Sequence, residues 1–276
     1  SGVIVEATFS GTGRLVASAG GISTRTTVTV VPFRQEVDAT GGRLVSPVGI
    51  QLDVPEGAFL SPVKVEVEIV ESPGMNAKAK RVTPVIEIAP QKRLSRHPLD
   101  LTFSYRSTIT SDFDPQKLSL YFWDWFSERW IAIAGHVNTS TQSVEATVNH
   151  FGIFTLMTTD QPVVKATELA VQNIKLSPPL FFAPDTHQLT ISYLITAPID
   201  LQPDPLEVTM QIFDLYDQRV VTLLDGSPRR AGQNAELWNG LNKKGRVVAN
   251  GRYILLIIIE SGKEQAYGKK VITVFM

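Results

Sequence analysis

Residues 118–157 read LSLYFWDWFSERWIAIAGHVNTSTQSVEATVNHFGIFTLM, and the spacing of their apolar side chains decides the fold class. Leu118, Leu120 and Phe122 recur at the two-residue strand period and so occupy one face; Val144, Ala146 and Val148 do the same further on. The pattern predicts strands over 118–123, 130–134 and 143–157, with a turn at 124–129 and a polar NTSTQ turn before the last. A compact antiparallel sheet follows.

The same logic extends outward. Val63, Val65, Val67 and Ile69 alternate with Lys64, Glu66 and Glu68, the pattern of a strand with one face in a core and one in water. With the strand opened by Gly41 and Gly42, a turn at 55–57, and further strands at 84–89 and 99–105, this predicts one sandwich running to about residue 159, with 32–37 as a connector into it. Residues 161–177 read as a linker passing into a first strand of a third unit. Strands are then expected at 189–194, 207–215, 219–224, 253–260 and 270–275, with a turn at 215–218 and a hairpin closed by Asp225 and Gly226. The first 31 residues give three short strand-like runs, 3–9, 13–17 and 26–31, too few to bury an adequate core alone. The expected fold is all-β, as tandem β-sandwich (Ig-like) domains. Its parts are a partial Ig-like segment or strand-donating arm at 1–32, a sandwich at 33–160 and a second at 161–276.

Composition narrows the function. The chain has 276 residues, 43% of them apolar, which supports packed cores. Lys and Arg number 26 against 27 Asp and Glu, a balance with no electrostatic footprint for nucleic acid or an anionic membrane. There is no cysteine, so disulfides and thiol catalysis are excluded. The longest apolar run, 253–259, falls far short of the roughly 20 residues of a spanning helix.

Three stretches carry family resemblances. GTGRLVASAGGISTRTTVTV (11–30) resembles the last strands of Ig-like modules repeated in bacterial surface proteins. Over 38–159 the order of Gly41 and Gly42, the VPEGAF turn (54–59), the LYFWD and RWIAIAG strands (120–124, 129–135) and the NHFGIFTL ending (149–156) resembles the ZU-five domain. That domain occurs in zonula occludens proteins, netrin receptors and ankyrins, and in bacterial surface proteins. Over 165–276, ISYLI (191–195), VTMQIFDLYDQRVVTLLDG (208–226), LWNGLNKKGRVVANGRY (237–253) and KKVITVF (269–275) resemble the Ig-like domain of the flagellar hook-capping protein, which recurs in secreted bacterial proteins. Together the resemblances imply a secreted or cell-surface bacterial protein.

The ZU-five resemblance also raises a catalytic question. In self-cleaving members a serine follows His-Phe and attacks the preceding carbonyl, a step that needs a hydroxyl nucleophile with a histidine placed to move its proton. Here His150 and Phe151 are followed by Gly152, which has no side chain, and Thr155 is out of register with the Phe151 carbonyl. The motif is degenerate, and no catalytic residue is assigned.

Other candidates have plain alternatives. Trp123, Trp125, Phe126 and Trp130 surround one turn: Trp125 and Phe126 are either a platform for a sugar ring or apolar partner, or an edge cover while Trp123 and Trp130 pack the core. Asp112 and Asp114 could face a hard cation, but calcium takes 6–8 oxygens and no third acidic cluster is adjacent, so a turn before Pro115 is the better reading. Asn239, Asn242 and Asn250 are turn residues. His97, His136, His150 and His187 lack metal-pair spacing, and the GTG at 11–13 reads as a turn.

The expected function is a non-catalytic structural or adhesive segment of a secreted or surface assembly, in which residues 1–31 pack in cis or donate a strand in trans to build a filament. A carbohydrate- or peptide-binding accessory module is the alternative. Neither cofactor nor metal is expected. Expected partners are other protein subunits or upstream domains, with a glycan as a further candidate, and neither nucleic acid nor membrane insertion.

Overall fold

The computed structural model describes residues 11–19, 22–74, 79–91, 93–106, 112–159, 168–183, 188–198, 205–262 and 264–275. It is all-β, with one 3-10 turn at Pro115–Lys117. The first two strands, β1 (Gly11–Ala19) and β2 (Ile22–Val30), form an antiparallel hairpin that pairs with no other described strand. The GTG at 11–13 is therefore not a turn: Gly11 and Gly13 sit opposite Val30 and Val28, and the ladder overrides the glycines' turn preference. The expected strand at 3–9 lies outside the described residues.

The second unit, the first sandwich, follows. Its strands are β3 (Phe33–Val37), β4 (Gly42–Val45), β5 (Ile50–Val54), β6 (Val63–Val70), β7 (Ala79–Arg81), β8 (Val85–Ala89), β9 (Leu94–Ser104), β10 (Leu118–Asp124), β11 (Arg129–Ile133), β12 (Gly135–Asn138), β13 (Ser143–His150) and β14 (Gly152–Thr159). One sheet has the order β11-β10-β14-β8-β6-β3, with β7 also on β14; the facing sheet runs β12-β13-β9-β5-β4. Leu52, Val65, Phe103, Leu120, Val144 and Phe154 fill the space between them. Residues 33–37, expected as a connector, are the edge strand β3: Phe33 and Val37 turn inward, and the ladder to β6 supplies what two apolar residues alone do not signal.

The strand expected over 143–157 is two strands in opposite sheets. Phe151 is the residue between them. A register shift between Val148 and His150 bends β13, the device by which strands change sheets at sandwich corners. The Phe151 N–H then donates to Arg93 O at 2.9 Å, and its ring packs at 5.5 Å from Phe59.

The third unit comprises β15 (Ala170–Ser177), β16 (Phe181–Phe182), β17 (Leu189–Thr196), β18 (Leu206–Phe213), β19 (Arg219–Arg229), β20 (Gly232–Trp238), β21 (Gly251–Ser261) and β22 (Glu264–Phe275). They form a β15-β17-β20 sheet facing a β16-β22-β21-β18-β19 sheet, around Tyr193, Met210, Trp238 and Ile257. Asp225 and Gly226 do not close a hairpin. They bulge within β19, where the register slips between the Val208–Ser227 and Met210–Leu224 pairs and Gly226 takes a φ of 55°.

β20 gave no strand signal, and it joins the two sandwiches. On one face Glu236 and Trp238 are buried within the third unit, while Ala235 and Leu237, on the other, belong to the core of the second. One edge pairs with β17. On the other, Ala134 N donates to Gln233 O, and the Asn149 side chain accepts from Leu237 N and donates to Leu237 O at 3.4 and 3.5 Å. An edge strand is thus covered on both faces and both sides, which removes a template for stray pairing.

Candidate functional site

The hairpin of β10 and β11 ends in a tight turn because Asp124 closes it: Ser127 N and Oγ both donate to Asp124 Oδ2, at 3.3 and 2.5 Å. The same carboxylate reaches into the third unit, accepting from Ser177 Oγ at 2.8 Å and, on Oδ1, from Thr190 Oγ1 at 3.1 Å. At the tip of the turn Trp125 and Phe126 stand 44% and 49% exposed. Trp123 and Trp130 are buried, but not in the main core. They form a separate cluster with Tyr121, Val85, Ile153 and Met157, because odd-numbered β10 residues point away from the facing sheet. The loop at Gly74 covers them: Trp130 Nε1 donates to Gly74 O at 3.0 Å, and a Cβ on Gly74 would come within 2.4 Å of Trp123.

His150 is 1% exposed between two phenylalanine rings, with centroids 4.9 Å from Phe122 and 5.7 Å from Phe154. Its Nδ1 lies 3.1 Å from Phe151 O, so Nδ1 carries the hydrogen and Nε2 is the acceptor nitrogen. Burial pushes its pKa down to about 4, and the distant Arg229 charge pushes the same way. The ring is neutral at physiological pH. A Cβ at Gly152 would sit 3.7 Å from Nδ1, an ordinary contact. Thr155 supplies no substitute hydroxyl: its Oγ1 is held by the Thr83 and Pro84 carbonyls, each at 3.2 Å.

These two features, separate in the sequence reading, meet. A cavity of about 170 Å³ is lined by Asp124, Trp125, Phe126, His150 and Gly152 from the second unit, and closed by Gln188, Thr190 and Leu237 from the third. The third-unit residues carry no local sequence signal for this, being brought in only by how the sandwiches dock. A second cleft of about 470 Å³ along the junction has Asp53, Asp100 and Glu145 on one wall and Arg229 and Arg230 on the other.

Behind the junction lies a buried ion pair. Arg229 Nε and Nη2 donate to Glu236 Oε1 and Oε2 at 2.6 and 2.9 Å, and Tyr193 Oη donates to Oε1 at 3.2 Å. Burial disfavours the Arg229 charge, but Glu236 outweighs it and the guanidinium is held above its ordinary value. Burial, then the neighbouring Glu236, raises the Tyr193 hydroxyl well above its own.

The remaining candidates resolve locally. Asp114 caps the 3-10 turn, its Oδ1 accepting from Gln116 N at 3.0 Å, while Asp112 receives Lys80. Asn239 and Asn242 accept backbone N–H groups of their own turns. His187 lies outside the described residues. Among the described residues no three His, Asp or Glu side chains converge as a metal site, and no helix is long and apolar enough to cross a membrane.

Residues 33–119, fewer than half of the chain, match the ZU5 domain family. The match takes in the VPEGAF turn and the alternating β6, and ends at the second residue of β10, before the aromatic turn and the His150 corner. No curated protein matches. Among solved structures, a β-glucuronidase of Parabacteroides merdae is 10% identical with a TM-score of 0.29, covering 68% of this chain and 30% of that one. Dimeric latent PorU of Porphyromonas gingivalis is 9% identical with a TM-score of 0.30, over 92% and 22%. PorZ, a surface component of the type-IX secretion system of the same organism, is 9% identical with a TM-score of 0.27, over 87% and 39%. This chain spans 22% to 39% of the length of these three, and similarity at this level carries no argument about function.

Proposed function

We propose that this chain is a non-catalytic structural segment of a secreted or cell-surface bacterial protein. A ZU5-type sandwich and an Ig-like sandwich of the hook-capping type act in it as one mechanical piece. The observation that carries this reading is β20, shared between both cores and tied to the second unit along its outer edge. Domains joined by a small polar interface move independently by default, and a strand buried on both faces opposes that. Glycine at position 152 further supports a scaffold over a self-cleaving domain.

The test is calorimetric unfolding of the full chain. One transition is expected, splitting into two when Asp124→Ala and Asn149→Ala are combined. Two independent transitions in the unmodified chain would refute the reading.

On the same reading, residues 1–32 serve attachment to an upstream domain or to a neighbouring subunit by strand addition, which propagates as a filament if the contact is heterologous. Sedimentation and negative-stain microscopy of the chain lacking residues 1–31 check this. Assemblies identical to those of the full chain would exclude strand donation.

A further inference from the structure

We infer that the outer face of the β16-β22-β21-β18-β19 sheet packs against the same face of a second copy of this chain, making a two-fold symmetric dimer. β21 is the middle strand of that sheet, and it is apolar on both sides. Tyr253, Leu255, Ile257 and Ile259 point into the core, whereas Ile254, Leu256 and Ile258 point away from it and belong to none of the buried clusters that the described residues form. An antiparallel sheet with one wet face alternates apolar and polar residues, and a continuous apolar run marks a strand covered on both faces. The neighbouring strands extend the patch: the ladder sets Phe213 and Val271 beside Ile254, and Tyr267 beside Ile258. Val271 is 55% and Tyr267 70% exposed. Contiguous apolar surface of this kind marks an interaction site.

The charges around the patch choose the occupant. Along its outer face β21 runs Arg252, Ile254, Leu256, Ile258, Glu260, with both charged ends exposed. This row is symmetric about Leu256 in its apolar residues and antisymmetric in charge. Two copies laid face to face about a two-fold axis that crosses the strands at Leu256 run antiparallel, so that Ile254 meets Ile258 and Arg252 meets Glu260, each contact occurring twice. An axis along β21 would instead set Arg252 on Arg252 and Glu260 on Glu260. Glu207 stands directly opposite Glu260 on β18, a like-charge pair that disfavours the isolated sheet, and within one copy Glu260 has the neutral Gln265 Nε2 as its donor at 2.7 Å. Arg252 of a second copy would answer both carboxylates.

Size agrees. At the level of Leu256 the sheet is four strands wide, because β16 pairs only with Val274 and Phe275 of β22. Four strands at about 4.8 Å and the 11 residues of β21 at about 3.4 Å give a face of about 700 Å² per copy, close to the roughly 800 Å² that each partner buries in a stable interface. Sheets packed face to face keep their strands aligned, as this axis requires. Lys269, level with Leu256, stands on what is there the edge strand, so its ammonium reaches water at the rim.

The experiment is sedimentation equilibrium of the full chain over a concentration series, with three variants. A monomer–dimer equilibrium with a micromolar or tighter dissociation constant is expected, weakened at least about a hundredfold by Leu256→Lys, which buries two like charges at the axis. Arg252→Glu and Glu260→Arg each bring like charges together and should each dimerise at least about tenfold more weakly. An equimolar mixture of those two variants should recover the unmodified affinity as a one-to-one dimer, since every Glu then meets an Arg. That recovery cannot come from misfolding, and the far-ultraviolet circular dichroism of Leu256→Lys should match the unmodified chain because the side chain faces away from the core. A monomer throughout the series, a dimer that survives Leu256→Lys, or a mixture no tighter than its components overturns the inference. Assemblies built by residues 1–32 behave in the reverse way, kept in Leu256→Lys and lost without residues 1–31, so failure of one reading is distinguishable from failure of the other.

Discussion

His150 in the second unit and the Arg229–Glu236 pair in the third are buried almost equally deeply, and the two units handle buried charge in opposite ways. The histidine is neutralised: with one backbone carbonyl for a partner and phenylalanine on either side, it gives up its proton. The arginine keeps its charge because a bidentate carboxylate is within 3 Å on both oxygens and a tyrosine hydroxyl supports that carboxylate. The difference follows from the partner. A lone carbonyl cannot offset the desolvation of a cation, whereas a full counter-charge can.

The sharpest way to break the comparison is to remove half of the pair. Arg229→Met leaves Glu236 buried and uncompensated, and should destabilise the chain by about 3–5 kcal/mol in denaturant unfolding. Replacing both, as Arg229→Met with Glu236→Leu, should recover most of that loss. If the single and double variants unfold alike, the pair is not what holds β20 against β19.

Acid breaks the other half. The folded-state pKa of His150 is about 4 and lies below its ordinary 6.5, so between these values the unfolded chain binds more protons and stability falls as pH falls. The contribution is intact above pH 6.5 and gone by pH 4, a loss of about 3 kcal/mol. His150→Gln should flatten that part of the stability profile. An unchanged slope in the variant would show that the acid sensitivity lies elsewhere.

A smaller effect tests the junction between the two sites. Asn149→Ala removes two hydrogen bonds to the Leu237 backbone, both long, and should cost about 1–2 kcal/mol. Hydrogen exchange should locate the loss: the Leu237 amide exchanges faster while the Ile257 amide, in the centre of the third unit, does not.

How much of this the sequence revealed depended on whether a strand had a wet face. β6 was legible because Val63, Val65 and Val67 alternate with charges that reach solvent, and Leu118, Leu120 and Phe122 pointed to the core in which they are found. β20 was illegible because it has no wet face: Asn234 and Glu236 look like loop residues until Tyr193 and Arg229 are placed around them. The corner at Phe151 was hidden for a related reason. Apolar residues run on either side of it, and only pairing to different sheets separates β13 from β14. The aromatic turn was legible from composition, and the His150 motif from the ZU-five resemblance. Their convergence was not, since Gln188 and Thr190 come from a different sandwich.

The smallest expected effect is at Gly152, where the comparison becomes a question about proton transfer. Gly152 has no left-handed φ, and a Cβ there meets only His150 Nδ1 at 3.7 Å and Phe154 Cε2 at 3.9 Å, so Gly152→Ser should fit without strain and change stability by less than about 0.5 kcal/mol. It also puts a hydroxyl beside the carbonyl that a self-cleaving domain would attack. Two things still oppose the reaction. The nitrogen nearest that hydroxyl, Nδ1, already carries a hydrogen directed to Phe151 O and so cannot accept the serine proton. The backbone at Gly152 also lacks the left-handed strain that would be relieved by converting the peptide to an ester. Intact-mass measurement of Gly152→Ser after prolonged incubation should therefore show one species. Two fragments parting between Phe151 and Gly152 would mean that the histidine switches tautomer readily, and that glycine at this position is all that keeps the strand whole.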